Sequence, residues 1–356
     1  MDSGRGRTPL GRPAGRVTAG IPGTSDPLRG GVAVVGSLNL DFTLLSHRLP
    51  TPGETVLGTS LHQGYGGKGA NQASAAARAG VATFIVGAVG DDAQGAEVRL
   101  ELDRAGVRTE FLQSVPAQAT GVAMIMLDAA GQNQIAVAPG ANSHLDPDHV
   151  RLALEAIGRQ IESRLVVLVS LEVRDEPVAA AVEVARAHGW MLVINPAPFR
   201  QLPADILLHV DFLTPNEVEA SSMLGEFAPD DWAALDRSAI EQLLARSAFA
   251  GTVVTLGARG AVLLTKDHWH HVPAPPVAVV DSTGAGDAFN GAFAAGLAGG
   301  ATPVESVKKG VLAGSLATTW LGAHDSATGG MDATRLNAEG ADPVADKMTV
   351  QLGDNA

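Results

Sequence analysis

Short runs of consecutive apolar, often β-branched residues alternate with alanine-rich stretches through most of this 356-residue chain. Within the runs, successive positions are apolar rather than every second one, which is typical of strands buried on both faces of a sheet. Such runs predict strands at 32–35, 84–89, 165–169, 191–194, 212–213, 253–256 and 261–264. The stretches between them predict helices at 68–79, 93–105, 176–188, 217–224, 240–248, 285–298 and 303–319. This alternation predicts an α/β fold in three layers, a mostly parallel sheet flanked by helices.

Two segments depart from this alternation. Residues 41–63 contain Pro50 and Pro52 and show no helical pattern, while residues 120–138 alternate apolar with small or polar residues around a turn at 128–131. The second pattern predicts a β-hairpin. We expect both segments to form a small extra sheet, as a lid over a substrate site, as an edge used in dimer contact, or as both.

The charge balance and the lack of cysteine exclude several classes of function. The formal net charge of −13 argues against nucleic acid or an anionic membrane as the main partner. With no cysteine, disulfides, thiolate chemistry and cysteine-bound zinc are excluded, which fits a cytoplasmic location. No uninterrupted apolar stretch is long enough to predict a membrane span.

The two ends differ in composition from the body. Residues 1–30 are rich in Gly, Pro and Arg without an apolar run, and we expect a disordered extension there. Residues 31–328 carry the strand and helix alternation and are predicted to form one domain. Residues 329–356 are polar again and predict a tail.

The most informative local segment spans residues 280–291. Gly284, Ala285 and Gly286 precede Asp287 and an apolar helical run. Free N–H groups and the positive dipole end of such a helix can hold phosphate oxygens. Asp287 is placed to take a proton from an attacking hydroxyl, although a plain helix-capping role is the alternative. The segment therefore indicates phosphoryl transfer from a nucleotide to an alcohol.

A second glycine-rich segment also admits two interpretations. Gly64, Gly66 and Gly69 satisfy the dinucleotide fingerprint, with Asp91 near the expected position of a ribose-binding acid. The segment follows the lid-like region rather than the first buried strand, so a dinucleotide-dependent oxidoreductase is a distant alternative. The same glycine turn, with Lys68 and Asn71, suits a polyhydroxyl ligand equally well.

Several segments occur together in the order found in one family. They resemble the ribokinase-like (phosphofructokinase-B type) carbohydrate kinases, and the resemblance covers about residues 31–327: 36–41, 51–55, 66–73, 195–198, 214–217 and 281–290. The 66–73 run resembles the ribokinase branch more than the fructokinase or adenosine kinase branches.

This resemblance implies a ribokinase-like fold with a β-sheet lid and a homodimer formed through that lid. It implies ATP-dependent phosphorylation of the 5-hydroxyl of D-ribose, with Mg²⁺ and an activating K⁺. Deoxyribose, another pentose or a nucleoside remain alternative substrates. A non-catalytic sugar-binding protein on the same scaffold is a more distant alternative, against which the intact 284–287 segment argues.

The resemblance also implies roles for individual residues. Asp287 would be the general base, and Gly284, Ala285 and Gly286 would form the anion hole. The sugar would be bound by Asn39, Asp41, Gly66, Gly67, Lys68, Asn71 and Glu172. From the residues alone, Lys68 could equally be a solvated lysine at a helix start, and Glu172 could equally cap a helix.

The remaining implied roles concern the nucleotide and two cations. The nucleotide would contact Asn216, Thr255, Gly257, Gly260 and Gly286, where a hairpin turn at 257–260 is compatible with that role. Asn216 and Glu219 would position Mg²⁺ through its water shell. The monovalent cation would be held, largely through carbonyl oxygens, by Asp281, Thr283, Ala317, Trp320, Gly322 and Ser326. The Trp320 position is often basic in relatives, a change that a carbonyl ligand tolerates.

Overall fold

The computed structural model describes residues 28–130, 132–225, 231–232, 251–265, 268–320 and 349–351. The predicted extension before residue 28, the predicted helix at 240–248 and most of the predicted tail lie outside the described residues.

The strands follow one another along the chain as two interleaved sets. In chain order they are β1 (Leu28–Val35), β2 (Asn39–Ser46), β3 (Gly58–Gly66), β4 (Ala82–Gly90), β5 (Leu112–Val115), β6 (Gly121–Asp128), β7 (Asn133–Ala138), β8 (Ile161–Ser170), β9 (Met191–Asn195), β10 (Phe212–Leu213), β11 (Gly251–Thr255), β12 (Ala261–Thr265), β13 (His268–Val272) and β14 (Thr349–Gln351).

The helices of the described residues mostly lie between strands of the larger set. They are α1 (Lys68–Arg78), α2 (Ala93–Arg104), α3 (Pro147–Gly158), α4 (Asp175–His188), α5 (Ala204–Leu207), α6 (Glu217–Leu224), α7 (Ala285–Ala298) and α8 (Pro303–Ala317). Among these described helices, none combines the length and the apolar character that crossing a bilayer requires.

The large sheet has the strand order β14-β13-β12-β11-β10-β9-β8-β1-β4-β5. Every pairing from β11 across to β5 is parallel, while β11 to β14 pair antiparallel at one edge. Parallel neighbours require crossover connections, which the helices supply. The expected α/β fold with a mostly parallel sheet is confirmed.

Both faces of the large sheet are covered, and β1 shows how. Val32 and Val34 pack into one core cluster with α1 and α7, where Phe289 and Phe293 lie. The intervening Ala33 and Val35 pack into a second cluster on the other face, with α3 and α4. Because successive side chains of a strand point to opposite faces, an uninterrupted apolar run is what a strand between two helical layers requires.

The small sheet has the strand order β3-β2-β6-β7. Strands β6 and β7 form the expected hairpin, and β2 joins it to β3, so the two irregular segments meet in one separate sheet. The register puts Asn39 and Asp41 on the same face as Ala123 and Val137. The other face of the small sheet carries Leu61 and other apolar side chains.

Candidate active site

The first turns of α1 and α7 lie side by side. Gly291 of α7 packs so closely on α1 that a Cβ there would overlap the backbone oxygen of Gln72. Both helices begin at glycines with positive φ, Gly67 at +88° and Gly284 at +76°, a conformation that glycine adopts without steric cost. The two glycine-rich segments, far apart in sequence, therefore form adjoining walls of one site.

Asp287 lies in the first turn of α7 and is only 7% exposed. Its Oδ2 accepts a hydrogen bond from Asn71 Nδ2 at 3.2 Å, and its Oδ1 accepts one from Gln72 Nε2 at 2.9 Å. Two neutral donors, one on each oxygen, hold the carboxylate plane in place. Each oxygen keeps a lone pair for a further partner, which is what a proton acceptor needs.

The turn before Asp287 offers unused donors. The backbone N–H groups of Gly286 and Asp287 donate to no described residue. A Cβ placed on Gly286 would meet no protein atom within 4 Å. The protein's own packing therefore does not require glycine there, whereas close approach of an anion to the helix terminus would.

Asp41 faces Asp287 and Glu172 across the site. Burial raises the pKa of the Asp41 carboxyl to about 7, with the Glu172 and Asp287 carboxylates adding to the rise. Its Oδ1 is buried and has no hydrogen-bond partner in the described part of the chain. A Cβ on Gly66 would overlap this carboxylate, so glycine is needed there to make room for it. An unpartnered buried carboxylate oxygen fits a ligand that brings hydroxyl donors.

Glu172 follows β8 and closes the opposite wall. Its Oε2 accepts hydrogen bonds from Ser37 Oγ at 2.5 Å and from the backbone N–H of Lys68 at 3.1 Å. The carboxylate thus lies at the N-terminus of α1, where the helix dipole favours negative charge. The sequence left its role open between helix capping and sugar binding, and both descriptions apply, because Glu172 contacts the start of a helix while lining the site.

The loop that carries Glu172 is held by Arg200. The guanidinium donates to the carbonyl oxygens of Leu171 and Val173, on either side of Glu172, and to Asp175 Oδ1 at 2.7 Å. A planar guanidinium fixes the direction of each of these bonds at once. Nothing in the 198–202 sequence region suggested this role.

Asn39 is oriented by a residue that the sequence did not identify. Asn142 donates from Nδ2 to Asn39 Oδ1 at 2.9 Å and exchanges two hydrogen bonds with the backbone of Leu38. Asn39, Asn142, Glu172 and Val137 of the small sheet line a cavity of about 590 Å³. The cavity therefore lies between the small sheet and the main body.

Lys68 lies among carboxylates that belong to both sides of the site. Its pKa is raised chiefly by Asp287, against the opposing effect of burial, with further contributions from Glu172 and Glu219. In turn, burial raises the pKa of Glu219, while Lys68 opposes that rise. Lys68 is therefore held as a cation between the Asp41–Glu172 wall and the start of α6.

Asn216 and Glu219 form a reciprocal cap on α6. Asn216 Oδ1 accepts from the Glu219 backbone N–H at 2.8 Å, and Glu219 Oε2 accepts from the Asn216 backbone N–H at 2.9 Å. This uses one oxygen of each side chain, and Glu219 Oε1 makes no hydrogen bond within the described residues. Asn216 also forms a β-bridge to Thr255, which joins two of the predicted nucleotide residues.

Gly257 and Gly260 flank the turn between β11 and β12. Gly260 has a φ of +94°, and a Cβ on it would overlap the carbonyl oxygen of Val272, so the turn itself requires glycine. Gly257 has a φ of +56° and open space around it. Within the described residues, no hydrogen bond joins this turn to Asp287.

The predicted monovalent-cation residues are partly brought together. Asp281 Oδ1 accepts from the backbone and hydroxyl of Thr283, at 2.9 and 2.7 Å. The Asp281 backbone N–H donates to the carbonyl of Thr318, beside Ala317, whose own carbonyl accepts from Trp320. Gly322 and Ser326 lie outside the described residues. In the described ranges, no group of three or more His, Cys, Asp or Glu side chains could hold a metal ion.

The dinucleotide interpretation does not fit this geometry. The glycine segment joins β3 of the small sheet to α1, rather than joining a strand of the large sheet to a helix. Gly69 packs on Gly36 and Ser37, so it serves contact between chain segments. The fingerprint needs a buried strand of the large sheet directly before its glycines, and here the preceding strand belongs to the small sheet.

Comparison with known proteins identifies the family. The family model described as "pfkB family carbohydrate kinase" matches residues 30–328 of this chain. The chain belongs to this family and is a sugar kinase, a phosphotransferase, which excludes the oxidoreductase alternative.

Two sequence relatives and one solved structure show which members of the family this chain is similar to. A ribokinase from Bacillus subtilis (strain 168) is 39% identical over 269 residues, covering 76% of this chain and 86% of that protein. A deoxyribokinase from Salmonella typhi is 35% identical over 296 residues, covering 83% and 94%. The structure of an Arabidopsis thaliana ribokinase complexed with ribose and ATP has a TM-score of 0.76 at 28% identity, covering 89% and 100%.

Proposed function

We propose that this chain transfers the γ-phosphoryl group of ATP to the 5-hydroxyl of D-ribose, giving D-ribose 5-phosphate and ADP. The observation that carries the proposal is the placement of Asp287. Its buried carboxylate adjoins both a helix terminus with free N–H groups and a wall of polyol-binding character around Asp41. A base beside an anion cradle is the arrangement that this transfer requires.

The reaction follows from the position of these groups. Asp287 takes the proton of the 5-hydroxyl as the oxygen of that hydroxyl forms a bond to the γ-phosphorus, and the bond from phosphorus to the β-phosphate oxygen breaks. The electron pair of the broken bond leaves with ADP, and the proton on Asp287 is lost to water. The N–H groups of the Gly284–Gly286 turn, with Ala285 between the glycines, stabilise the charge on the transferring group.

The sugar is held by residues of β2, of the loop after β8 and of the first turn of α1. Asp41 and Glu172 accept hydrogen bonds from sugar hydroxyls, while Lys68, Asn39 and Asn71 donate. Gly66 and Gly67 let the backbone approach the ring. The structure of the relative from Arabidopsis thaliana holds ribose and ATP, which supports ribose and ATP as the ligands.

The nucleotide and Mg²⁺ lie on the other side of Lys68 in this proposal. Asn216, Thr255, Gly257 and Gly260 border the nucleotide, and Gly286 contacts its terminal phosphate. Asn216 and Glu219 fit Mg²⁺ as partners of its bound waters, because the free Glu219 Oε1 can accept from them. When bound, Mg²⁺ neutralises charge on the phosphates.

The monovalent cation, K⁺, is proposed to bind at the Asp281–Thr283 loop, with Ala317, Trp320, Gly322 and Ser326 as further ligands. The hydrogen bonds from Val280 and Asp281 to Thr318 support this, because they bring the two halves of the loop together. Rates measured in KCl should exceed those in choline chloride of equal ionic strength. Equal rates would remove K⁺ from the proposal.

The small sheet is proposed to act as a lid and as a dimer contact. Its face opposite Asp41 exposes Leu61 and Met124, at 62% and 55%. Closing the other face over the sugar would exclude water and limit ATP hydrolysis. Sedimentation analysis of the wild type should give a dimer, and the double variant Leu61→Arg, Met124→Arg should be a monomer. A wild type that is already monomeric contradicts the contact.

A cytoplasmic location completes the proposal, in keeping with the cysteine-free sequence.

The alternative substrate is deoxyribose, which the Salmonella typhi relative favours. An assay of ADP release across ribose, deoxyribose, other pentoses, hexoses and nucleosides decides between them. Ribose should give the highest kcat/KM. A higher value for deoxyribose or a nucleoside would replace ribose while keeping the chemistry, and no ADP release with any acceptor would contradict the proposed activity.

A further inference from the structure

Asp287 is in contact with a fully buried amide of α1. Gln72 is 0% exposed, and its Nε2 donates both to Asp287 Oδ1 at 2.9 Å and to Asn195 Oδ1 at 3.0 Å. A side-chain amide has two N–H hydrogens, so both are committed by this arrangement. One of them fixes an oxygen of the proposed base.

The hydrogen bonds continue from Gln72 back to the helix that carries Asp287. Asn195 Nδ2 donates to the carbonyl of Thr214 at 3.0 Å, and Thr214 Oγ1 donates to Asn290 Oδ1 at 2.5 Å. Asn290 Nδ2 then donates to the carbonyl of Gly286 at 2.8 Å. These four side chains, Gln72, Asn195, Thr214 and Asn290, are all buried and are called the amide chain below.

The direction of each bond in the amide chain follows from its neighbours. Because the Gly286 carbonyl can only accept, the Asn290 amide nitrogen must face it, which leaves Asn290 Oδ1 to accept from the Thr214 hydroxyl. Because Gln72 donates to a carboxylate, its nitrogen and not its oxygen must face Asp287. A buried network in which each member sets the next has one arrangement and resists rotation of any part.

We propose that Gln72 is a positioning residue for phosphoryl transfer, and that the amide chain holds the base and the anion-binding turn as one rigid unit. This rests on the proposed role of Asp287. The Gln72 donor stabilises the ionised carboxylate and leaves the free lone pairs of Asp287 directed at the sugar hydroxyl. Asn290 fixes Gly286, so that phosphate donors and base keep their separation while the substrates come and go.

The test compares Gln72→Met, which keeps the volume and removes both donors, with wild type. We expect kcat to fall roughly 10- to 100-fold with little change in the ribose KM, because positioning acts on the chemical step. The acid limb of the kcat profile should move to higher pH, since loss of a donor disfavours the ionised base. Asp41, Lys68 and Glu219 also act on Asp287, and the variant leaves all three in place.

Ser74→Ala is the matched control. Ser74 lies on α1, is fully buried, and its Oγ has no hydrogen-bond partner in the described part of the chain, so this variant changes the same helix without touching the amide chain. It should keep wild-type kcat and the same acid limb. Asn195→Ala is the milder second variant, to be used if Gln72→Met does not fold, and should shift both quantities in the same direction by less.

Two outcomes separate this inference from the proposed function. If wild type phosphorylates a sugar while Gln72→Met keeps its kcat and acid limb, Gln72 does not position the base. A second measurement does not depend on turnover. The side-chain amide signal of Gln72 in ¹⁵N spectra can be identified by its loss in Gln72→Met, and its chemical shift should change in Asp287→Asn. An unmoved signal overturns the contact whether or not the enzyme is active.

Discussion

The two halves of the site are built on different physical terms. On the sugar side, side chains carry the charge: the Glu172 carboxylate lies close enough to Asp41 to disfavour the ionisation of Asp41. On the phosphate side, the backbone of the Gly284–Gly286 turn supplies dipoles, and the space around Gly286 is open. The first half is organised before any ligand arrives. The second half consists of donors without partners.

This difference indicates what each ligand contributes. A polyol brings hydroxyl donors that relieve repulsion among fixed carboxylates, so sugar binding and the protonation of Asp41 are linked. A phosphate brings negative charge to a turn whose donors are backbone N–H groups at a helix N-terminus. Asp287 belongs to both halves, since its helix forms the phosphate site while its carboxylate joins the acids.

The largest effect should come from removing that shared carboxylate. Asp287→Ala should lower kcat by roughly 10²- to 10⁴-fold, because it removes the proposed general base. Asp92→Ala is the matched control: Asp92 caps α2, accepting from Gly95 N–H at 2.7 Å, outside the site. It should lose roughly 2 kcal/mol of stability, because the hydrogen bonds from Thr120 are lost together with the cap, and keep its turnover. If both variants lost stability alone, Asp287 would have only a structural role, which is not that of a helix cap because Gly284 is the N-cap and no side chain caps the helix.

A pair of glycine variants tests the contrast between the halves directly. Gly286→Ala adds a methyl group that meets no protein atom within 4 Å, so the fold should tolerate it and thermal stability should hold. The methyl group would obstruct phosphate approach, and we expect kcat/KM for ATP to fall on the order of 10- to 10³-fold. Gly66→Ala instead displaces the Asp41 carboxylate and should raise the ribose KM. Steady-state kinetics with each substrate varied would contradict the contrast if the two variants behaved alike.

The repeating parts of the fold could be predicted because local pattern decides them. The uninterrupted apolar run in β1 predicts burial on both faces, and the 285–298 helix has the predicted bounds. Helix α3 was not predicted, although Asp146 caps it, Pro147 opens it and its buried Val150, Ala153, Leu154 and Ile157 follow the i, i+3, i+4, i+7 spacing of an amphipathic helix. Strand β5 has only four residues, too few for a periodic pattern.

In the site, too, the parts set by local pattern could be predicted and the parts set by long-range contacts could not. Residues within short motifs, such as Asp287 and Asn71, were identified, while their supports were not. Ser37 reaches Glu172 across 135 positions of sequence, and Asn142 reaches Leu38 across 104. No spacing rule predicts such pairs, since they depend on where loops from different strands meet. Gln72 lies within the 66–73 segment, yet the direction in which its buried side chain points is set by the packing of α1 on α7.

The pH dependence of sugar binding sharpens the account of the sugar side. Since the pKa of Asp41 is about 7, this carboxyl gains a proton as pH falls below that value and loses acceptor capacity. The ribose KM should rise about tenfold between pH 8 and pH 6, following the ionised fraction. Asp41→Asn should raise the KM and flatten this dependence. A wild-type KM that stayed constant would show that sugar binding does not need the ionised form.

The same carboxyl makes a prediction about stability. Between pH 3.8 and about 7 the folded protein holds a proton on Asp41 that the unfolded chain has released. The free energy of unfolding contributed by this group therefore falls as pH rises through that window. Melting temperatures should show this decline without ribose and less of it with saturating ribose, because bound hydroxyls stabilise the carboxylate. Equal declines in melting temperature with and without ribose would show that the ligand does not stabilise the Asp41 carboxylate.

The smallest expected effect concerns the support of Glu172. Arg200→Met should leave the carboxylate in the site on a looser loop, since the bonds to Leu171, Val173 and Asp175 are lost. A loss of about 1 kcal/mol in sugar binding corresponds to a KM increase of roughly fivefold, with kcat nearly unchanged. Arg174→Met is the control, because Arg174 borders the same cavity and its ion pair with Glu176, 3.9 Å long, is exposed. Equal KM values for the two variants would mean that Glu172 holds its place through Ser37 and Lys68 alone, and that the sugar wall is fixed from α1 rather than from its own loop.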